Sequence, residues 1–570
     1  MKKKSLKPSA ISIGVHATCI AAACGLWSAN AHAFHFDVPN PDIDMEWDNT
    51  LRADYDIRLQ NPDHFYTNSP TYDEGDLSTP KFSTIQSMLN LYSEFDFKYK
   101  ETSGFRISMD AWYDPTFKNH NTNNTSLPPP SNLPNYPNNE YTSYIKKYYQ
   151  GPSAELRDAF VFHTFDLGGH SVNTKLGRTA VTWGQSAFAT LGGANSVAIG
   201  QQPLDLMKLT QSPSASLKEI VLPTAQADVS TNITDTITLA AQYTFEWNHD
   251  RLPEGGTYFG GADPILYGPP VASYTNIPGL GTFAIPRIAP TKGQIGDFGL
   301  DGKWRVDSLA TTYELTYRHF AMKMPWAALI LPGAGPELFP GTNLPGITAK
   351  YGNDVNVIGA GFNSAIGSAA VAGELSYRWN MPLNAVNTTT VNDAPTGRTL
   401  HGLLNLTQSF GKTPLWNNLF LQAEFAFNQL LSVQSHAGNV AMSGYDTTGQ
   451  CSASGNNPFN NCSTRFWAGV GIGASPQWYQ VFPGVDLTMP LFVNLNLKGY
   501  SSVIAPAAEA QGQNTFVVGL DFNIYNKHEV DITYTYYMNK KGYSTTGAAT
   551  ALGAPYSDKS WIGITYQTTF

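Results

Sequence analysis

Residues 43–59 read Ile-Asp-Met-Glu-Trp-Asp-Asn-Thr-Leu-Arg-Ala-Asp-Tyr-Asp-Ile-Arg-Leu. The odd positions are apolar except for Asn49, and the even positions are Asp44, Glu46, Asp48, Thr50, Arg52, Asp54, Asp56 and Arg58. A helix would scatter those polar groups around its circumference, whereas a strand places all of them on one face. In a soluble sandwich that face would meet bulk water. In a closed barrel it looks into a lumen while the apolar face looks at lipid.

The alternation recurs outward from this segment. Leu89, Leu91, Phe95, Phe97 and Tyr99 alternate with Asn90, Glu94, Asp96 and Lys98; the turn at Glu101–Gly104 then leads into Phe105, Ile107 and Met109. Near the end, Phe516, Val518, Leu520, Phe522 and Ile524 match Val530, Ile532, Tyr534 and Tyr536. In the last ten residues Ile562, Ile564, Tyr566, Thr568 and Phe570 share one face. An amphipathic strand ending in Phe is similar to the signal that the Gram-negative barrel assembly machinery recognises.

About 18 strands can be read, within a range of 14–18. Their connections alternate in length. Short ones fall near 101–104, 166–171, 231–235, 305–308, 364–368, 411–417, 477–486 and 525–528. Long ones fall near 60–83, 115–154, 184–215, 248–292, 321–350, 381–397, 432–462, 500–513 and 540–557. The fold class that follows is all-β: a transmembrane antiparallel β-barrel with short periplasmic turns and long extracellular loops. A sandwich or propeller has no reason to alternate in this way.

The N-terminus fits the same reading. Lys2, Lys3, Lys4 and Lys7 precede an apolar stretch, and Ala31-His32-Ala33 is a small-residue cleavage site, so residues 1–33 read as a secretory signal peptide cut after Ala33. Residues 34–570 then form one barrel domain. No run of 18 apolar residues follows Phe34, so no membrane helix is expected. The first strand starts within about ten residues of Phe34, which argues against a plugged, energised receptor. The 29 Tyr and 12 Trp suit interfacial girdles. Without the four lysines of residues 1–33 the formal charge moves from −9 to −13, which disfavours nucleic acid as a partner. Beyond residue 33 the only cysteines are Cys451 and Cys462, in a turn-rich exported loop, and they read as a disulfide. Outer-membrane lipids and the assembly machinery are the partners this reading implies, in the outer membrane of a Gram-negative cell.

If the apolar alternates face lipid, Asp44, Glu46, Arg52, Glu246, Glu314, Arg318, Glu374, Arg378 and Glu424 face the lumen. Glu314 and Arg318, like Glu374 and Arg378, are four residues apart, about 13 Å along a strand, so each Arg should find a carboxylate on a neighbouring strand. Either these groups rigidify the wall or they line a path for a solute. The long loops are unusually apolar, with Tyr258, Phe259, Trp326, Leu329 and Phe339 as candidates for capturing a hydrophobic molecule; the alternative is that the loops pack on one another as a cap. Loop 184–215 either folds inward and narrows the pore or lies outside. No nucleophile elbow, zinc motif, phosphate loop or dinucleotide fingerprint occurs, so neither an enzyme activity nor a cofactor or metal is expected. His163, His319 and His401 read as hydrogen-bonding residues.

Several segments resemble the proteobacterial outer-membrane family called domain of unknown function 1302. They include Phe34-His-Phe-Asp with Trp47-Asp-Asn-Thr, Leu176-Gly-Arg-Thr-Ala-Val-Thr-Trp-Gly-Gln-Ser186, and Gly192-Gly-Ala-Asn195. Glu246-Trp247 with Arg251-Leu-Pro253, Gly373-Glu-Leu-Ser-Tyr-Arg-Trp-Asn-Met-Pro-Leu383 and Val481-Phe-Pro-Gly-Val-Asp-Leu-Thr488 follow in the same order. Where members usually carry Glu after Trp-Gly, this chain has Gln185. The resemblance implies an outer-membrane barrel that handles lipid, steroid or terpene-like compounds, associated with a periplasmic lipoprotein-like partner and an inner-membrane pump. The combined expectation is a channel for hydrophobic or amphipathic small molecules, working in uptake. A porin for polar solutes, or an enzyme or adhesin built on a barrel, are the alternatives.

Overall fold

The computed structural model describes residues 34–570, apart from 119–126, 189–190, 213–214, 264–266, 278–280, 327–328, 332–345, 387–393, 450, 452–461, 505–508, 544–548 and 551–555. The expected signal peptide and its cleavage after Ala33 lie outside these residues.

Eighteen antiparallel strands form the wall. They are β1 Ile43–Arg58, β2 Thr84–Tyr99, β3 Ser103–Tyr113, β4 Ser153–Leu167, β5 His170–Thr179, β6 Thr224–Asn232, β7 Ile237–Thr244, β8 Phe298–Val306 and β9 Thr311–Phe320. They continue with β10 Val355–Ile366, β11 Ala369–Pro382, β12 Thr396–Phe410, β13 Asn418–Ser435 and β14 Phe466–Phe482. Next comes β15, made of Val485–Thr488 and Leu491–Lys498, then β16 Gln513–Ile524, β17 His528–Asn539 and β18 Trp561–Thr569. Each strand pairs with the next in sequence. β18 also pairs with β1, from Arg58↔Trp561 to Thr50↔Thr569, and closes the barrel.

Closure satisfies the backbone without water, so the outer surface can be apolar. Leu89, Ile107, Leu176, Leu300, Leu375 and Ile564 project outward and are exposed. Rings gather at both rims. Phe97 stacks on Phe105 at 5.3 Å near the short-turn end, and Trp379 lies 5.8 Å from Tyr377 near the long-loop end. Such a belt between aromatic girdles makes this an outer-membrane barrel. Among the described residues no helix is long and apolar enough to cross a membrane.

The short turns use left-handed residues. Tyr525 and Asn526 have φ of 54° and 55°, and Gly168 and Gly169 have 65° and 86°, values that match the twist of tight hairpins. At the other rim the loops pack on one another. Cys451 and Cys462 form the expected disulfide within them, with Cα atoms 5.6 Å apart.

The main apolar core lies inside the upper barrel rather than between two sheets. Trp183, Val197, Ile199 and Leu206 come from the loop between β5 and β6. They pack on Phe320, Val355, Val357 and Met381 of the wall and on Met324 and Trp326 of another loop.

Candidate functional site

The loop joining β5 to β6 enters the lumen. It carries three short helices, α1 Gly192–Asn195, α2 Leu206–Gln211 and α3 Leu217–Ile220, too short to persist without tertiary support. Support comes from the inward-facing carboxylates. Glu374 Oε2 accepts from Gln185 N at 3.0 Å and Ser196 Oγ at 3.0 Å, while Oε1 accepts from Val197 N. Glu424 accepts from Ala187 N at 2.7 Å and Phe188 N at 3.2 Å. Glu314 accepts from the Gln185 side-chain amide. A carboxylate at 185 would meet Glu314 with like charge.

The arginines depart from expectation. Arg318 donates to Val197 O at 2.6 Å and Ile199 O at 2.8 Å; Arg378 donates to Ala194 O at 3.0 Å and Ser196 O at 2.9 Å. Neither takes the neighbouring-strand carboxylate that the strand spacing suggested. Loop carbonyls, brought in by the chain's inward course, occupy both guanidinium groups. Arg318, Glu374, Arg378 and Glu424 are therefore buried under the loop and line no open path.

The wall is shaped to receive this loop. Gly359, Gly361, Gly469 and Gly471 occupy inward positions. A Cβ on Gly359 would come within 2.3 Å of Val197 Cγ1, and one on Gly471 within 3.0 Å of Phe188. Asn195 is the central polar contact. Its side chain donates to Glu509 at 2.7 Å, and its Oδ1 meets His401 at 2.9 Å and Asn428 at 3.1 Å. Burial raises the Glu509 carboxyl to about 7, although three side-chain hydrogen bonds hold it down.

On the opposite wall Arg52 bonds Asp54 at 3.1 Å and Glu219 of α3 at 2.6 Å. Lys208 of α2 reaches Asp110 at 2.7 Å. Asp44 lies at the short-turn end beside Lys98 at 3.1 Å. Glu46 is half-buried two register pairs further up the strand, opposite Asp96. Glu246, just beyond β7, pairs with Arg178 at 3.0 Å.

Below the loop, the lumen surface of β16, β17, β18 and β1 is acidic. Asp521 and Asp531 are direct register partners, and Thr565 and Asp54 continue their row. Glu529 is two residues away on β17. Among the described residues no Lys or Arg lies within ion-pair distance of Asp521, Glu529 or Asp531, and all three are half-buried rather than sealed.

The proposed capture residues also depart from expectation. Tyr258 and Phe259 are each 2% exposed and pack on Ile85, Tyr537 and Trp561. Trp326 is buried, and its Nε1 donates to Leu383 O at 2.9 Å. Packing of the loops against the upper ends of the wall strands takes up this apolar area. Leu329 belongs to a short strand paired with Thr348, and its side chain lies outside the described residues, as does Phe339. The histidines form hydrogen bonds: His163 with Ser103, His319 with Asn356, and His401 with Asn195 and Thr399.

Sequence reasoning gave no contact role to Asn195 or to the inward glycines. The glycines had a signal: Gly469, Gly471 and Gly473 repeat at period two, on the face that should carry polar side chains.

A search of the curated proteins finds no match. Among solved structures, OccAB1 of Acinetobacter baumannii is similar at 9% identity, with 92% of this chain and 96% of that chain covered and a TM-score of 0.43. OpdK of Pseudomonas aeruginosa, solved with vanillate, gives 8% identity, 92% and 98% coverage and a TM-score of 0.39. The outer membrane channel DcaP of Acinetobacter baumannii gives 9%, 94% and 99%, and 0.36. The family model described as "Protein of unknown function (DUF1302)" matches residues 15–570, nearly the whole length, and the chain belongs to that family.

Proposed function

We propose that this protein is an outer-membrane channel that passes hydrophobic or amphipathic small molecules inward. The observation that carries this reading is the loop latched inside the barrel. An open aqueous pore has no need of an apolar core in its upper half, whereas a route that selects its solute needs a narrowed, shaped passage. The family setting of lipid and terpene handling adds support for an apolar cargo. The test is uptake by a deletion strain and its complemented parent, using one labelled terpene-like solute and one labelled sugar. Selective loss of the apolar solute supports the proposal; selective loss of the sugar refutes it.

One observation favours a second reading. The acidic cluster of Asp521, Glu529 and Asp531, which has no Lys or Arg within ion-pair distance among the described residues, would draw cations into the periplasmic half of the lumen. On this reading the protein is a cation-preferring porin, and reversal potentials in a salt gradient distinguish the two.

A further inference from the structure

We propose that the wall carries a lateral portal between β4 and the upper ends of β5–β7, and that it receives the uncharged polar head of an amphiphile at the bilayer interface. The inference rests on the preceding reading only in taking the solute to be amphipathic.

The wall strands are short at this point. β5, β6, β7 and β8 have 10, 9, 8 and 9 residues, whereas β11 to β14 have 14, 15, 18 and 17. A tilted strand needs about 9–11 residues to cross the hydrocarbon, so the upper ends of β5–β8 fall near the lipid headgroups.

The backbone ladder is also interrupted. Ser153–Leu156 pair with β3, but β4 meets β5 only from Ala159↔Arg178 onward. The upper end of β4 thus has no strand on its second side. Unpaired backbone in lipid costs several kcal/mol per group, and here a side chain stands in. Arg178 Nε donates to Leu156 O at 3.2 Å. Arg157, buried beside it, ties β4 to the inward loop rather than to β5, donating to the carbonyls of Lys218, Glu219 and Val221 at 3.0, 2.7 and 2.9 Å. Contacts of this kind can part without unzipping a strand.

A cavity of about 190 Å³ lies in the gap, lined in part by Tyr148, Glu155, Arg178, Leu222, Glu246 and Arg251. Its charges are already matched. Arg178 pairs with Glu246 at 3.0 Å, and Arg251 pairs with Glu155 and, at 3.2 Å, with Asp205. A charged head would have to break one of these pairs in a poorly solvated site. A hydroxyl would not, and Glu155 Oε2, which accepts no hydrogen bond and has only the Arg157 guanidinium 4.0 Å away, would be its acceptor once the head displaces the side chains that cover it. Outside the gap Leu156, Leu176, Tyr243 and Phe245 are 49%, 54%, 47% and 51% exposed and form the surface along which a tail would lie.

The test is photolabelling of the full protein in lipid nanodiscs, with a long-chain alcohol bearing a diazirine near its head and the matched fatty acid. The alcohol should label peptides around Leu156, Leu176, Leu222 and Phe245 about tenfold above the rest of the belt, a local preference of ~1.4 kcal/mol. Leu222→Trp, which fills the cavity, should reduce that labelling while heat-modifiable migration stays native. Even labelling around the belt overturns the portal, and the wild-type map decides this even if the variant does not assemble. Equal labelling by alcohol and acid overturns the uncharged-head assignment. Focused labelling with no loss of alcohol uptake in the deletion strain would refute the transport reading and leave the portal standing.

Discussion

Replacing Glu374 with Ala should release the inward loop while leaving the wall intact. The carboxylate is 7% exposed and accepts hydrogen bonds from Gln185 N, Ser196 Oγ and Val197 N. Hydrogen bonds to a charged group contribute about 1.5 kcal/mol net each at the low end, so losing three weakens the latch by ~4 kcal/mol. That is about three decades in the ratio of seated to released loop. Arg378 loses its nearby countercharge as well, which acts in the same direction. β11 keeps its ladder to β10 and β12, because the backbone pairs Gly361↔Glu374 and Glu374↔Leu403 do not involve the side chain. Single-channel recording in planar bilayers should therefore show larger or longer openings for Glu374→Ala, and Glu374→Ala/Glu424→Ala should go further. If the double variant assembles normally and conducts like wild type, the loop does not control the lumen and the latch argument fails.

Gly359→Leu should mimic release from the other side of the contact, because a Cβ there already meets Val197; overpacking of this kind costs ~1–3 kcal/mol, and trypsin cleavage within residues 180–223 should rise while the barrel core stays resistant. The buried Glu254 in the outer cap has its carboxyl raised to about 8 by burial, against the opposing hydrogen bonds from Tyr267 and Gly268. Its folded state holds a proton that the unfolded loop releases above the ordinary carboxylate range, so cap stability falls as pH rises from about 5 to 8 and levels off above, by on the order of 4 kcal/mol. Hydrogen exchange of residues 254–268 should show this slope, and Glu254→Gln should flatten it. Loss of the Cys451–Cys462 bridge should cost ~3 kcal/mol of local stability, seen as faster proteolysis near residues 436–465 with unchanged heat-modifiable migration. Asp521→Asn/Asp531→Asn should shift the reversal potential away from cation preference, and no shift would remove the second functional reading.

The barrel was legible because its signals are local. The alternation in 43–59 needs no partner to be recognised, and a turn such as Tyr525-Asn526-Lys527 declares itself within three residues. The path of residues 180–223 was not legible, since it depends on meetings such as Val197 with Glu374, 177 positions apart, that carry no period. Composition likewise made Trp326 and Tyr258 look like an exposed greasy surface. Only the fold shows that Leu383 O awaits the Trp326 indole and that Trp561 covers the Phe259 ring. The arginines illustrate the same limit. Strand spacing could not foresee that carbonyls from a distant loop would take, at Arg318 and Arg378, the role expected of carboxylates.

The seam between β1 and β18 has a kinetic consequence. Thr50 and Thr569, whose hydroxyls lie 3.0 Å apart, are separated by 519 positions. Bringing such distant segments together costs about 5–6 kcal/mol in chain entropy before any seam contact forms. Until then β1 and β18 present free edges, each able to template a strand from another copy. The slow step of maturation should therefore be ring closure rather than hairpin formation, and its rate should respond to changes at the seam, such as at Arg58 or Trp561, far more than to equal changes at β10 or β11.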